Sequence, residues 1–147
     1  MQIRVVLVGG GPDERRDPGR VFLIGPSHTF GQFAEAINSA FARWDLSHLH
    51  EFRLGDGRPI GFPDDEFAPE VLWEDQAAVK VAGAVRPGDE FEFRFDFGEG
   101  WRHRCRVLDE KADPREAYGP GPPPKQPVPI WGWGSIPDQY GRESAEE

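Results

Sequence analysis

The stretch from Phe91 to Val107, FEFRFDFGEGWRHRCRV, restricts the fold more than any other part of the chain. Phe91, Phe93, Phe95 and Phe97 alternate with Glu92, Arg94 and Asp96, the period of two that sends successive side chains to opposite faces of a strand. Gly98, Glu99 and Gly100 interrupt the alternation, and Trp101 to Val107 resumes it more weakly. Two such runs joined by a short glycine-bearing loop predict a central β-hairpin over about 90–108.

The charges suggest a register. With a three-residue loop, 98–100, Phe97 faces Trp101, Phe95 faces His103, Phe93 faces Cys105 and Phe91 faces Val107, all on one face. On the other face Asp96 meets Arg102 and Glu92 meets Arg106, each pair worth roughly 0.2–1 kcal/mol, while Arg94 meets Arg104 unfavourably. A two- or four-residue loop would flip one strand and set arginines against phenylalanines. His103 is thereby sent into a buried aromatic face, where an unpaired polar group is costly.

At 147 residues the chain is long enough to bury one real core, and its eleven Phe and five Trp compensate for few Leu and Ile. The formal charge of −9 argues against non-specific nucleic-acid binding, which needs clustered Lys and Arg. Cys105 is the sole cysteine, so no intrachain disulfide or cysteine zinc cluster forms, and a buried apolar-face thiol is expected rather than a nucleophile. No apolar run approaches the ~20 residues of a membrane span. MQIRVVLVGGGPDERR reads as a strand and turn rather than a leader, so a soluble cytoplasmic protein is expected.

Taken in order, IRVVLV (Ile3 to Val8) predicts a strand covered on both faces, stopped by Gly9, Gly10, Gly11 and Pro12. No helix pattern follows these glycines, which excludes a dinucleotide-binding loop; a hairpin to a second strand, Arg20 to Ile24, is the better reading. Thr29 with Gln32 forms a capping box for a helix over about 29–44, whose stripe is Phe30, Phe33, Ala34, Ile37, Ala40, Phe41 and Trp44. His28, before the cap, is expected in solvent. His48 and His50 alternate with Leu49 and Glu51 and share a strand face, and Arg58 to Ile60 pairs back after Gly55-Asp56-Gly57. Pro69 to Asp75 suggests a helical turn; Ala77 to Val85 fits a short helix or a strand. Between Pro114 and Pro137 lie eight of the fifteen prolines, which exclude a helix or a central strand. Ile130, Trp131 and Trp133 nevertheless predict that Pro127 to Ile136 folds back on the domain.

Three histidines stand in two compact motifs, SHLHEF and FGEGWRH. His48 and His50 on one strand with His103 from a neighbouring strand would bind zinc or another divalent ion, with Asp45, Glu51, Asp96 or Glu99 completing the shell. Satisfaction of the histidines by backbone carbonyls and aromatic packing is the simpler alternative. No GxSxG elbow surrounds Ser27, Ser39, Ser47 or Ser135.

WDLSHLHEF, RPGDEFEFRFDFGEGWRH and PVPIWGWGSIPDQYGR resemble the plasmid pRi ORF-3-like family, whose members are often labelled insertion-element passenger proteins of TnpR type. Usual family forms are close to W-D-x-S-H-L-H-x-F and Y-D-F-G-D-x-W-x-H; here Phe95 replaces Tyr, Glu99 replaces Asp and Arg102 replaces an acidic residue. The resemblance runs from Ile3 to about Arg142. It implies a compact α+β domain and an association with mobile elements. It does not imply resolvase chemistry, which would need a catalytic serine amid arginines and a basic DNA-binding module. The matching positions are Asp45, His48, His50, Phe52, Asp96, Phe97, Gly98, Gly100, Trp101 and His103.

The expected architecture is a two-layer α+β domain over 1–142, an antiparallel or mixed sheet with one main amphipathic helix, the Pro/Trp-rich segment 114–137 packed on it, and 143–147 as a disordered tail. The expected function is a binding or accessory module, with catalysis left open. Its pocket candidates are His48, His50, Asp96, Glu99, Trp101 and His103, and its partner a protein or a small polar ligand. Two alternatives stand beside it: a metal-dependent hydrolase using His48, His50 and His103, and an interaction module working through the Pro/Trp-rich segment.

Overall fold

The structure, a computed structural model, describes residues 1–9, 17–46, 48–63, 72–98, 100–112, 119–122 and 124–136. β1 (Gln2–Leu7) and β2 (Gly19–Leu23) form the first antiparallel hairpin. α1 (Phe30–Ala40) follows, then β3 (His50–Arg53), β4 (Pro59–Gly61), β5 (Glu74–Asp75) and the single turn α2 (Val81–Ala84). The central hairpin is β6 (Glu90–Phe95) and β7 (Trp101–Val107), and β8 (Val128–Trp133) ends the described chain. All eight strands belong to one sheet in the order β5-β4-β3-β6-β7-β1-β2-β8, antiparallel except for the parallel β4–β5 pair. This is the mixed sheet with one main helix that the patterning predicts.

Alternation decides which face is the core. Phe91, Phe93 and Phe95 of β6 point the same way as Phe52 of β3, His103, Cys105 and Val107 of β7, and Ile3, Val5 and Leu7 of β1. Onto this face α1 lays Phe30, Phe33 and Ile37. Phe33 stacks on Phe52 at 5.6 Å and meets Phe22 edge-on at 5.5 Å, while Phe30 packs on Phe52 at 5.0 Å. Ring pairs of this geometry add about 0.5–1.5 kcal/mol each beyond the area they bury. Thr29 caps α1 with the expected box: its Oγ1 accepts from the Gln32 amide, and Gln32 Oε1 accepts from the Thr29 amide.

The hairpin register differs from the expected one. Pairing closes at Phe95–Trp101, with Phe93 opposite His103 and Phe91 opposite Cys105, so residues 96–100 connect the strands. Asp96 leaves the ladder because its amide donates to the Leu49 carbonyl at 2.8 Å and its φ is +58°. A slip of two residues preserves side-chain parity, so His103 still faces inward. Phe97 goes to the other face, beneath the Arg94 guanidinium at 4.7 Å and near Trp73. The ion pairs are consequently rearranged: Arg106 faces Glu90 directly at 3.7 Å, while Arg102, opposite Arg94, reaches diagonally to Glu92 at 3.0 Å.

Four other expectations are corrected. β1 is covered on one face, since Arg4 and Val6 are only half-buried. α1 ends at Ala40, so Trp44 is not on its stripe and is 53% exposed. Glu74–Asp75 is a strand rather than part of a helical turn; the residues before Leu72 in that stretch lie outside those described. His28 is buried, not solvated: its Nδ1 accepts from the Gly25 amide at 2.8 Å, and its Nε2 donates to the Pro124 carbonyl at 2.9 Å. That second bond fastens the Pro-rich segment to the helix entrance. Beyond it β8 pairs antiparallel to β2 as an edge strand, the place in a sheet where Pro129 is tolerated. The 143–147 tail lies outside the described residues.

Candidate functional site

The two histidine motifs meet at the loop end of the central hairpin. β3 lies beside β6 and sets His50 opposite Phe95. Just past β6, the buried Asp96 brings its carboxylate to 3.6 Å from His48 Nδ1, while Asp45 lies 3.5 Å from His48 Nε2. The His48 ring meets Phe95 edge-on at 5.8 Å. Asp45, His48 and Asp96 are thus brought together; Glu99 lies outside the described residues.

Beneath this corner is a buried cation that sequence reasoning missed. The chain turns at Ala42, whose φ is +56°, and Arg43 enters the core. Its Nη1 donates to the Phe41 carbonyl and its Nη2 to His103 Nε2 at 3.1 Å. The guanidinium carbon stands 4.7 Å over the Trp101 ring and 5.8 Å from the Phe41 ring. Such cation–π contacts, about 2 kcal/mol or more when desolvated, take the place of a carboxylate counter-ion, which is absent among the described residues. Burial lowers the Arg43 pKa to about 10, so the group stays charged at neutral pH. Arg43 Nε and Trp101 Nε1 are buried without hydrogen-bond partners among the described residues.

His103 is fully buried and its chemistry is fixed by these neighbours. A guanidinium donates, so Nε2 must accept and the proton sits on Nδ1, which donates to the Phe93 carbonyl at 3.1 Å. Burial and the adjacent Arg43 charge push its pKa down to about 3. His103 is a neutral structural acceptor.

The metal set His48, His50 and His103 is not assembled. The order β3-β6-β7 puts β6 between His50 and His103, about two strand spacings of 4.8 Å apart. The Phe93 ring fills that interval, 5.8 Å from His50 and 5.3 Å from His103. Glu51 points to the opposite face, accepting from Trp73 Nε1 at 2.8 Å and pairing with Arg53. No group of three or more His, Cys, Asp or Glu among the described residues is placed to hold a metal ion.

His50 belongs to a different feature. Its Nε2 donates to Gln76 Oε1 at 2.7 Å, and burial lowers its pKa, against smaller upward contributions from Gln76 and Glu35. This neutral pair lines a cleft of about 530 Å³ between α1 and the β3–β5 side of the sheet. α1 contributes Gln32, Glu35 and Asn38, one residue every three, along a single face. Leu46 and Phe62 stand at the cleft 59% and 62% exposed. Asn38 is buried, and its Oδ1 has no hydrogen-bond partner among the described residues. Of the five pocket candidates among the described residues, His50 alone lines this cleft. The cleft residues are scattered over 29–77, and the one hint in the sequence is the polar Asn38 directly after the stripe residue Ile37.

Comparison with known proteins places the fold. The crystal structure of MM3350 from Methanosarcina mazei Go1, a protein of unknown function, superposes with a TM-score of 0.68 over 95% of this chain and 73% of that one. At 21% identity the likeness is one of fold. "Uncharacterized protein y4hQ" of Sinorhizobium fredii is 33% identical over 75 residues, 50% of this chain and 37% of that relative's length. No helix among the described residues is long and apolar enough to cross a membrane. The family model described as Plasmid pRiA4b ORF-3-like protein matches residues 1–123, and the chain therefore belongs to that family.

Proposed function

We propose that this chain is a ligand-binding module whose ligand occupies the cleft between α1 and the β3–β5 side of the sheet, while the two histidine motifs form the scaffold behind it. The observation that carries the reading is the cleft itself: about 530 Å³, within the range of small-molecule sites, with apolar Leu46 and Phe62 beside a neutral His50–Gln76 pair. The motif corner supports a positioning role, because His103 and Arg43 satisfy each other inside the core. An association with mobile elements and a cytoplasmic location belong to the same proposal and rest on the family label and on the single buried thiol of Cys105.

A thermal-shift screen of amphiphilic fragments against the wild type and Gly31→Leu tests it. Gly31 lines the cleft, and a Cβ there would stand in ordinary contact with Gln76, 3.5 Å away, so the backbone at this point of the wall accepts a side chain. Fragments that stabilise the wild type and not Gly31→Leu support the reading; fragments that stabilise both equally, or none, refute it. A second reading, docking of a protein partner, has one observation in its favour: Trp131 is 64% exposed on the edge strand β8.

A further inference from the structure

The polar groups of the cleft define the chemistry of what would fill it. Glu35 and Asp75 place two carboxylates at its walls, and none of the described residues lining it is Lys or Arg. His50, held neutral by burial and bonded to Gln76, adds no positive charge. Each carboxylate commits one oxygen within the protein: Glu35 Oε2 accepts from Gln126 Nε2, and Asp75 Oδ1 accepts from the Ala77 amide at 2.9 Å. Glu35 Oε1 and Asp75 Oδ2 have no hydrogen bond among the described residues. Two solvent-facing carboxylates with no cation among the described lining residues give the cleft a negative potential, which calls for a positively charged ligand rich in donors. The apolar Leu46, Phe62 and Ala34 call for a hydrocarbon portion.

From this we infer that the cleft takes an organic cation, an ammonium or guanidinium group carried on a short apolar or aromatic stem. The inference rests on the proposal that the cleft is a ligand site and names the class of ligand. In the bound state the cationic head lies between Glu35 and Asp75, and the stem covers Leu46 and Phe62.

The test uses three probes with one skeleton, 3-phenylpropylamine, 3-phenylpropan-1-ol and 3-phenylpropionate, titrated calorimetrically into the full chain. The amine should bind about tenfold more tightly than the alcohol, the scale set by a partly screened contact with two carboxylates, and the propionate should bind most weakly. In Glu35→Gln/Asp75→Asn, which keeps both internal acceptor oxygens, the amine should fall to the affinity of the alcohol while the alcohol is unchanged. An amine that binds no better than the alcohol, or whose advantage survives in the double variant, overturns the inference. If Gly31→Leu blocks all three probes while the amine shows no preference, the cleft is a ligand site but not one for cations. If none of the three binds, or Gly31→Leu blocks none of them, the binding reading falls together with the inference.

Discussion

The Arg43–His103 pair makes the fold acid-labile in a way that one substitution should remove. His103 has an ordinary pKa of 6.5 when unfolded and about 3 when folded. Because the folded value is the lower one, the unfolded chain takes up this proton first. Stability is therefore intact above pH 6.5 and falls as pH drops from 6.5 towards 3. One pKa unit corresponds to about 1.36 kcal/mol, so the loss attributable to His103 between pH 7 and pH 4.5 is about 2.5 kcal/mol. Against a typical domain stability of about 5–15 kcal/mol, that is a large share. His103→Gln keeps an acceptor within reach of Arg43 Nη2 and does not titrate; it should cost about 1–2 kcal/mol at pH 7, independently of pH. The assay is urea unfolding of both proteins at pH 7 and pH 4.5, read as a difference of differences. His50, whose pKa is also lowered by burial, adds to the acid slope of both proteins and cancels. Equal acid slopes for the wild type and His103→Gln would refute the neutral, guanidinium-bonded histidine.

Four further outcomes follow from the packing. Asn38→Leu removes the unmatched buried oxygen at similar volume and should raise stability by about 1 kcal/mol in chemical denaturation; destabilisation of that size would mean Oδ1 is satisfied. Gly19→Ala would bring a Cβ to 2.2 Å from the Trp133 ring, so a loss of about 1–3 kcal/mol and a shift in tryptophan emission are expected. The Cys105 thiol, fully buried and pushed up in pKa by that burial, should react with a thiol reagent only on unfolding, as a denaturant series would show. Zinc and chelator should leave the melting temperature unchanged, because β6 separates His50 from His103; a stoichiometric metal lost in His48→Ala would contradict that.

The alternation of Phe91, Phe93 and Phe95 is legible in the sequence because burial is enforced every second residue, and so is the inward direction of His103. The loop length is not legible, because registers two residues apart share the same parity and differ only in where Asp96 bonds. That bond reaches Leu49, 47 positions back in the chain, and no local pattern carries it. The helix start is written in Thr29 and Gln32, but its end depends on Ala42 adopting a left-handed conformation, which removes Trp44 from the stripe and sends Arg43 inside. The spacing of the histidine motifs leaves Asp96 as one of four acids beside the histidines, of which the structure brings Asp45 and Asp96 to His48. It gives no sign that β6 comes between β3 and β7, since strand order is a property of the whole sheet. His28 reads as a surface residue because the residue that buries it, Pro124, arrives from the far end of the chain.

The most direct measurement is amide chemical-shift mapping of the protein titrated with amphiphilic fragments. Perturbations from any binder should converge on Gln32, Glu35, Asn38, Leu46, His50 and Gln76, the walls of the α1–β3 cleft. Perturbations that gather instead on the outer face of the hairpin, around Arg102 and Arg104, or on Trp131 of β8, would contradict it.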